Sequence, residues 1–345
     1  MSKNMRVAVV GATGLVGREM IAVLEERGFP LSELVPLASP RSLGEAVEFQ
    51  GREIPVRVAT PEAFKGIDVV LMSAGGGPSK ALAPAAAEAG AIVIDNSSAW
   101  RMDPEIPLVV PEVNPEDIAL FKQRRIIANP NCSTIQMVVA LAPLHRHVPI
   151  KRIVCSTYQA VSGKGKAAME ELSTQVSTLL SGGEAENKVF PKRIAFNCLP
   201  QIDDFTDDGF TKEELKMRNE TRKIMHAPNV GVCATCVRVP VFNGHAVSMN
   251  VEFESELTAD KARELLRDAK GVMLMDDPAN GVYPTQMEAD GTDATFVGRI
   301  RKDASEKNSL ALWCVADNLR KGAASNAVQI AEILVRDYLA ARAVN

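Results

Sequence analysis

Three short stretches of this 345-residue chain carry residue types that can do chemistry together. The first is Asn129-Pro130-Asn131-Cys132-Ser133-Thr134, followed by Ile135, Val138, Val139 and Leu141 at helical spacing. That spacing puts Cys132 at the start of a helix, capped by Asn131 or Ser133. There the positive end of the helix dipole and the first backbone N–H groups favour a thiolate, so Cys132 is the expected nucleophile. The second stretch runs from Arg238 through Asn243-Gly244 to His245. Asn-Gly between alternating apolar segments predicts a hairpin in which Phe242 faces His245. Arg238 would then share a face with His245, their Cα atoms roughly 13 Å apart at about 3.3 Å per residue. A guanidinium and an imidazole so placed suit the two ends of a small substrate, with His245 as the general base. The third stretch, Gly11-Ala12-Thr13-Gly14-Leu15-Val16-Gly17, is a G-x-x-G-x-x-G turn.

Each stretch needs an element to position it. The glycine turn follows an apolar strand over 5–10 and precedes a helical pattern over 17–27. This is where a pyrophosphate meets the N-terminus of a helix. Gly11, Thr13, Gly14, Leu15 and Val16 are the expected dinucleotide contacts. A second strand, 35–38, ends in Ser39-Pro40-Arg41-Ser42, where a site for NAD usually carries a carboxylate. A guanidinium and two hydroxyls there suit a 2′-phosphate, so Ser39, Arg41 and Ser42 point to NADP. Further strands at 67–72 and 91–95 flank a helix over 79–89. Strand–helix alternation of this kind signals an α/β fold with a doubly wound parallel sheet.

Beyond about residue 130 the texture changes to that of an α+β domain. Period-2 alternation at 150–158 and 233–253 predicts a second sheet. Between these lie helices over 167–180 and 211–226, the latter opening on the capping-box pattern Thr211-Lys-Glu-Glu214. An amphipathic helix is expected over 323–343.

Composition excludes several classes. The net charge is −4 and there is no basic block, so nucleic acid is not an expected partner. No apolar run is long enough to span a membrane. Six widely spaced cysteines read as reduced, cytoplasmic thiols rather than a disulfide framework. Cys233 and Cys236 form a C-x-x-C, but within a strand they point to opposite faces, and no metal site is expected. Cys155, Cys198 and Cys314 read as small buried hydrophobes.

With these motifs together, the sequence resembles the aspartate-β-semialdehyde dehydrogenase family. The resemblance is carried by GATGLVG, SAWR at 98–101, NPNCST at 129–134, YQAVSG at 158–163, EELK at 213–216, CVRVPVFNGH at 236–245 and DNL at 317–319. It implies a Rossmann-type NADP-binding domain over 1–131 and an α+β catalytic and dimerisation domain over 132–322. Residues 323–345 would return to the first domain, as in the glyceraldehyde-3-phosphate dehydrogenase architecture. The implied reaction is the reversible, NADPH-dependent reductive dephosphorylation of L-aspartyl 4-phosphate to L-aspartate 4-semialdehyde through a Cys132 thioester. That reaction serves lysine (through diaminopimelate), threonine and methionine biosynthesis.

Carried over by residue, the resemblance makes His245 the acid/base and Gln159 and Arg238 substrate binders, with Arg238 on the α-carboxylate. Glu213 lies near the substrate ammonium, with Glu220 and Lys223 as an alternative to the Glu213–Lys216 pair. Arg101, Lys216 and Asn131 serve the phosphate, and Ser162, Gly163 and Asn318 contact the nicotinamide. The implied assembly is a homodimer, with a tetramer as the alternative. N-acetyl-γ-glutamyl-phosphate reductase shares this architecture, but its substrate has no free α-ammonium and no need of Glu213.

Overall fold

The computed structural model describes residues 5–339. They form two compact units: the described residues up to Asn131 together with those from Ala323 onward, and Cys132–Gly322.

The first unit contains β1 (Met5–Val10), α1 (Leu15–Glu26), β2 (Leu31–Ala38), β3 (Ala46–Phe49), β4 (Arg52–Pro55) and β5 (Arg57–Val58). It continues with β6 (Val69–Met72), α2 (Gly76–Glu88), β7 (Ile92–Asp95) and β8 (Ile126–Ala128). Six strands form one parallel sheet in the order β5-β2-β1-β6-β7-β8, and β3 and β4 pair separately. Every residue of β6, β7 and β8 is buried, which is why these strands read as unbroken apolar runs rather than alternating ones. The second strand begins at Leu31, earlier than its apolar residues suggest, because exposed Ser32 and Glu33 extend it along β1.

The chain's last described segment belongs to this unit. The amphipathic helix expected over 323–343 is helical as far as it is described, with a π-helical turn at each end. A π-helical turn, Arg320–Ala324, leads into α-helix Ser325–Leu334, followed by a π-helical turn Val335–Leu339; residues 340–343 of the expected helix lie outside the described residues. Ala327, Val328, Ile330 and Leu334 join Val7, Val9, Leu24, Leu71 and Ile94 in one apolar core.

The second unit contains α3 (Cys132–His147), β9 (Ile150–Gln159), α4 (Lys166–Leu180), α5 (Lys212–Ile224), β10 (Gly231–Arg238) and β11 (His245–Phe253). Then follow α6 (Ala259–Arg267), β12 (Val272–Leu274), α7 (Gln286–Ala289), β13 (Thr295–Lys302) and β14 (Ser309–Ala316). Its mixed sheet has the order β10-β9-β11-β14-β13-β12. α3 packs against β9, β11, β13 and β14 and against α5 and α6, with Ile135, Met137, Val138, Leu141 and Leu144 buried.

This topology corrects the hairpin. β10 and β11 never pair, because β9 lies between them, parallel to β10 and antiparallel to β11. Residues 239–244 instead carry the chain across the end of β9. Val239 N–H donates to Gln159 O at 3.0 Å, and Val161 and Ser162 donate to Val241 O and Phe242 O at 2.9 and 3.1 Å. The Asn-Gly turn still has a local cause, since Gly244 sits at φ +82°, where a side chain would strain and also strike Gln286 at 2.9 Å.

Candidate active site

Three strand ends converge at one end of the second sheet. Gln159 closes β9 and is in register with Arg238, which closes β10, while His245 opens β11. Ala160, the first residue past β9, holds both the Arg238 and the His245 side chains through its main chain. Its carbonyl accepts Arg238 Nη1 at 2.6 Å, and its N–H donates to His245 Nδ1 at 3.1 Å. An imidazole that accepts at Nδ1 carries its neutral-state proton on Nε2. His245 is 1% exposed, and its Nε2 has no hydrogen-bond partner among the described residues. Burial, and behind it the Arg238 charge, holds His245 well below its usual value. The site therefore presents a neutral ring with an N–H to offer.

Gly163 closes this corner. A Cβ there would lie 3.0 Å from Arg238 Nη1 and 3.1 Å from His245 Nε2, so any larger residue would push on both groups. Burial lowers Arg238 from its usual value, while Glu213 and Cys132 oppose that shift. The thiol thus lies within electrostatic reach of the guanidinium. Cys132 is the first residue of α3, half-buried, with Asn131 immediately before the helix.

A polar relay runs from β9 to α5. Thr157 Oγ1 donates to Gln159 Oε1 at 3.0 Å, and Gln159 Nε2 donates to Glu213 Oε1 at 3.1 Å. Lys216 Nζ bonds the other Glu213 oxygen at 3.1 Å and Asp203 at 2.7 Å. Burial pulls Lys216 down, but Glu213 and Asp203 outweigh it and leave the ammonium raised. Glu213 and Lys216 are thus the pair joined to Gln159.

Two members of this arrangement, and the second contact of a third, escape sequence reasoning. Asp203 lies in a loop without a motif. Ala160 acts only through its backbone. Glu214 completes the capping box with Thr211 and also accepts Cys236 N–H at 3.0 Å, pinning α5 to β10. Thr157, also missed, had a legible signal, its i, i+2 spacing from Gln159 on one strand face. Ser162 and Asn318 are bonded to each other, and Asn318 Oδ1 accepts Gly244 N–H at 2.9 Å.

The remaining thiols differ from one another. Burial raises Cys155 to about 12 and also raises Cys236 and Cys314. Cys233 is exposed on the strand face opposite buried Cys236. Cys198 is exposed rather than buried, since it sits in an irregular segment beside Pro200 instead of inside the sheet.

The dinucleotide candidates cluster in the first unit. Gly11 and Gly17 are explained by the protein itself: a Cβ at either would lie 2.2 Å from Ser73 O or 2.1 Å from Gly11 O. Gly14, the N-cap of α1, meets nothing closer than 3.3 Å. Leu15 and Val16 begin a helix with no side-chain cap and no acidic first turn, a terminus suited to an anion. Thr13 Oγ1 and Ser42 Oγ are 2.9 Å apart, tying this turn to the end of β2, where Ser39 and Arg41 are exposed. These residues fit a bound dinucleotide. Arg101 is buried in the same unit, its guanidinium bonded to Asn129 O at 3.0 Å and Asn96 O at 2.8 Å.

Comparison with known proteins agrees with this build. Residues 6–121 match the family described as semialdehyde dehydrogenase, NAD binding domain, and residues 141–321 match semialdehyde dehydrogenase, dimerisation domain. Fold and matches together place the chain among the semialdehyde dehydrogenases, which are oxidoreductases. It is 58% identical over 336 residues to the aspartate-semialdehyde dehydrogenase of Aquifex aeolicus (strain VF5), covering 97% of this chain and 99% of that one. The crystal structure of aspartate semialdehyde dehydrogenase II complexed with ASA from Vibrio cholerae superposes with a TM-score of 0.95 at 52% identity, covering 98% of this chain and 100% of that one. Aspartate semialdehyde dehydrogenase with NADP from Candida albicans gives 0.75 at 25% identity, covering 96% and 98%. The chain belongs to the aspartate-semialdehyde dehydrogenase family.

Proposed function

We propose that this protein interconverts L-aspartyl 4-phosphate and L-aspartate 4-semialdehyde, with NADPH as reductant and a thioester on Cys132 as intermediate. The observation that carries the reading is the shared Ala160 anchorage of Arg238 and His245 beside Gly163, with Glu213 reached through Gln159. An α-amino acid has a carboxylate and an ammonium, and this corner offers a buried cation and a buried carboxylate for them. The complexes of relatives with ASA and with NADP support the same ligands here.

Arg238 binds the α-carboxylate, Glu213 and Gln159 receive the ammonium, and Cys132 attacks the acyl phosphate. Arg101, Lys216 and Asn131 hold the phosphate and offset its charge as the P–O–C link breaks. A dinucleotide held by Gly11, Thr13, Gly14, Leu15, Val16, Ser39, Arg41 and Ser42, with Ser162, Gly163 and Asn318 toward its nicotinamide, supplies hydride when bound. His245, neutral with its proton on Nε2, acts as the acid group by donating a hydrogen bond to the alkoxide that forms at the thioester carbon, and the alkoxide collapses to the aldehyde as the Cys132 thiolate departs. Dividing the reduction at a covalent intermediate lowers both barriers. The reading includes a homodimer, a cytoplasmic location and a place in the synthesis of aspartate-derived amino acids. No helix among the described residues is long and apolar enough to cross a membrane.

The test is phosphate-dependent oxidation of aspartate semialdehyde with NADP and with NAD, alongside mass spectrometry of acylated Cys132. Cys132→Ser should abolish turnover yet leave NADPH binding near normal. A variant keeping about a tenth of wild-type kcat, within about 1.4 kcal/mol, would exclude the covalent step.

A further inference from the structure

One segment of the second unit reaches the Cys132 side chain and the backbone just before His245, and neither contact follows from the roles given above. It runs from Asp317 to Gly322. Its first residue is an anchor: the buried Asp317 carboxylate accepts Leu319 N–H at 2.7 Å and Arg320 N–H at 3.2 Å through one oxygen, and Gly291 N–H at 2.8 Å through the other. Its second residue, Asn318, accepts Gly244 N–H at 2.9 Å, immediately before His245. Its last residue, Gly322, returns its N–H to Asp317 O at 2.9 Å and lies against the nucleophile. A Cβ on Gly322 would stand 2.9 Å from Cys132 Cβ and 3.4 Å from Cys132 Cα. Gly322 has no positive φ, so backbone conformation does not demand glycine there. Space beside Cys132 does.

We propose that residues 317–322 are a positioning strap, with Gly322 setting the seat of the Cys132 side chain and Asp317 fixing where Gly322 lies. The strap touches Cys132 at one end and the residue before His245 near the other, so it holds thiol and imidazole in a common register. An α-helix start alone leaves a cysteine several staggered χ1 positions. A backbone wall at van der Waals distance removes the rotamers directed at it. The proposal rests on Cys132 being the nucleophile, as argued above.

The experiment compares Gly322→Ala, Asp317→Asn and Asp317→Ala in the full-length enzyme. The readouts are kcat, KM for semialdehyde, the NADPH dissociation constant and the rate of Cys132 alkylation by iodoacetamide against pH. Gly322→Ala should lower kcat by about tenfold or more, with KM and NADPH binding within about threefold. Alkylation should change in rate but keep its wild-type midpoint in pH. Asp317→Asn retains an acceptor for Leu319 and Arg320 and should lose less activity than Asp317→Ala. If Gly322→Ala does not fold, the two Asp317 variants decide by the same kcat-against-KM split. The strap is refuted if kcat stays within about threefold of wild type, or if kcat, KM and NADPH binding worsen together as for general destabilisation. Loss of the nucleophile reading would look different, as turnover surviving in Cys132→Ser.

Discussion

Replacing Arg238 by lysine keeps the charge and removes the fork. In the structure this guanidinium is buried and spends Nη1 on the Ala160 carbonyl at 2.6 Å, which leaves its other nitrogens for a carboxylate. A lysine ammonium is a single point on a shorter reach, so it can serve the carbonyl or the substrate but not both in plane. One charge-assisted hydrogen bond is lost, about 1.5–3 kcal/mol, equivalent to roughly 10- to 150-fold in binding. Steady-state oxidation with semialdehyde varied at saturating phosphate and NADP should show that rise in KM. With phosphate varied at saturating semialdehyde, KM should stay within about threefold. Because a cation remains beside His245, the pH dependence of kcat should keep its position. Arg238→Met, which removes the cation, should move the His245 ionisation upward. If Arg238→Lys raised KM for phosphate alone, or left semialdehyde binding unchanged, the carboxylate assignment would be wrong.

Lys216→Ala should raise KM for phosphate more than KM for semialdehyde; equal rises would mean that Lys216 serves Glu213, its partner at 3.1 Å, rather than phosphate. Arg41→Ala should weaken NADPH but not NADH, by at most about 1.5–3 kcal/mol because the residue is exposed, and equal losses would leave Arg41 a turn residue. His245 titrates well below its unfolded value of about 6.5, so its neutral form contributes stability above that pH. This contribution is lost as pH falls from there through the folded value. His245→Asn should therefore narrow the drop in Tm on acidification, and a Tm difference between the two proteins that ignores pH would count against the buried neutral ring.

Local pattern made much of the fold legible. Buried strands announced themselves as apolar runs, Thr211 and Glu214 announced the start of α5, and the spacing after Cys132 announced α3. The Asn243-Gly244 signal was locally sound and globally misleading. A turn motif states that the chain reverses, but not whether another strand will occupy the space between the arms. Here β9 does, and its pairing with β10 follows a crossover through α4 and α5 that no short window contains. The Arg238–His245 association was therefore right as a pairing but wrong in its cause. The Ala160 contacts were illegible because they are made by main-chain atoms, which leave no mark in residue identity. The glycine turn was legible as a turn, yet Gly11 and Gly17 are needed for backbone packing, and only Gly14 is left for an approaching ligand.

The interposed strand has a consequence for how the chemistry comes into being during folding. Within 231–253 the two strands do not pair with each other, so the corner is not assembled by its own turn. The two bonds that hang Arg238 and His245 on Ala160 join residues 78 and 85 positions apart. Contacts of that range carry a loop-closure cost and form late relative to helices. Cys132, by contrast, needs only the first turn of α3 to gain its helical setting. Catalytic competence therefore requires the closed sheet and not the helix start alone.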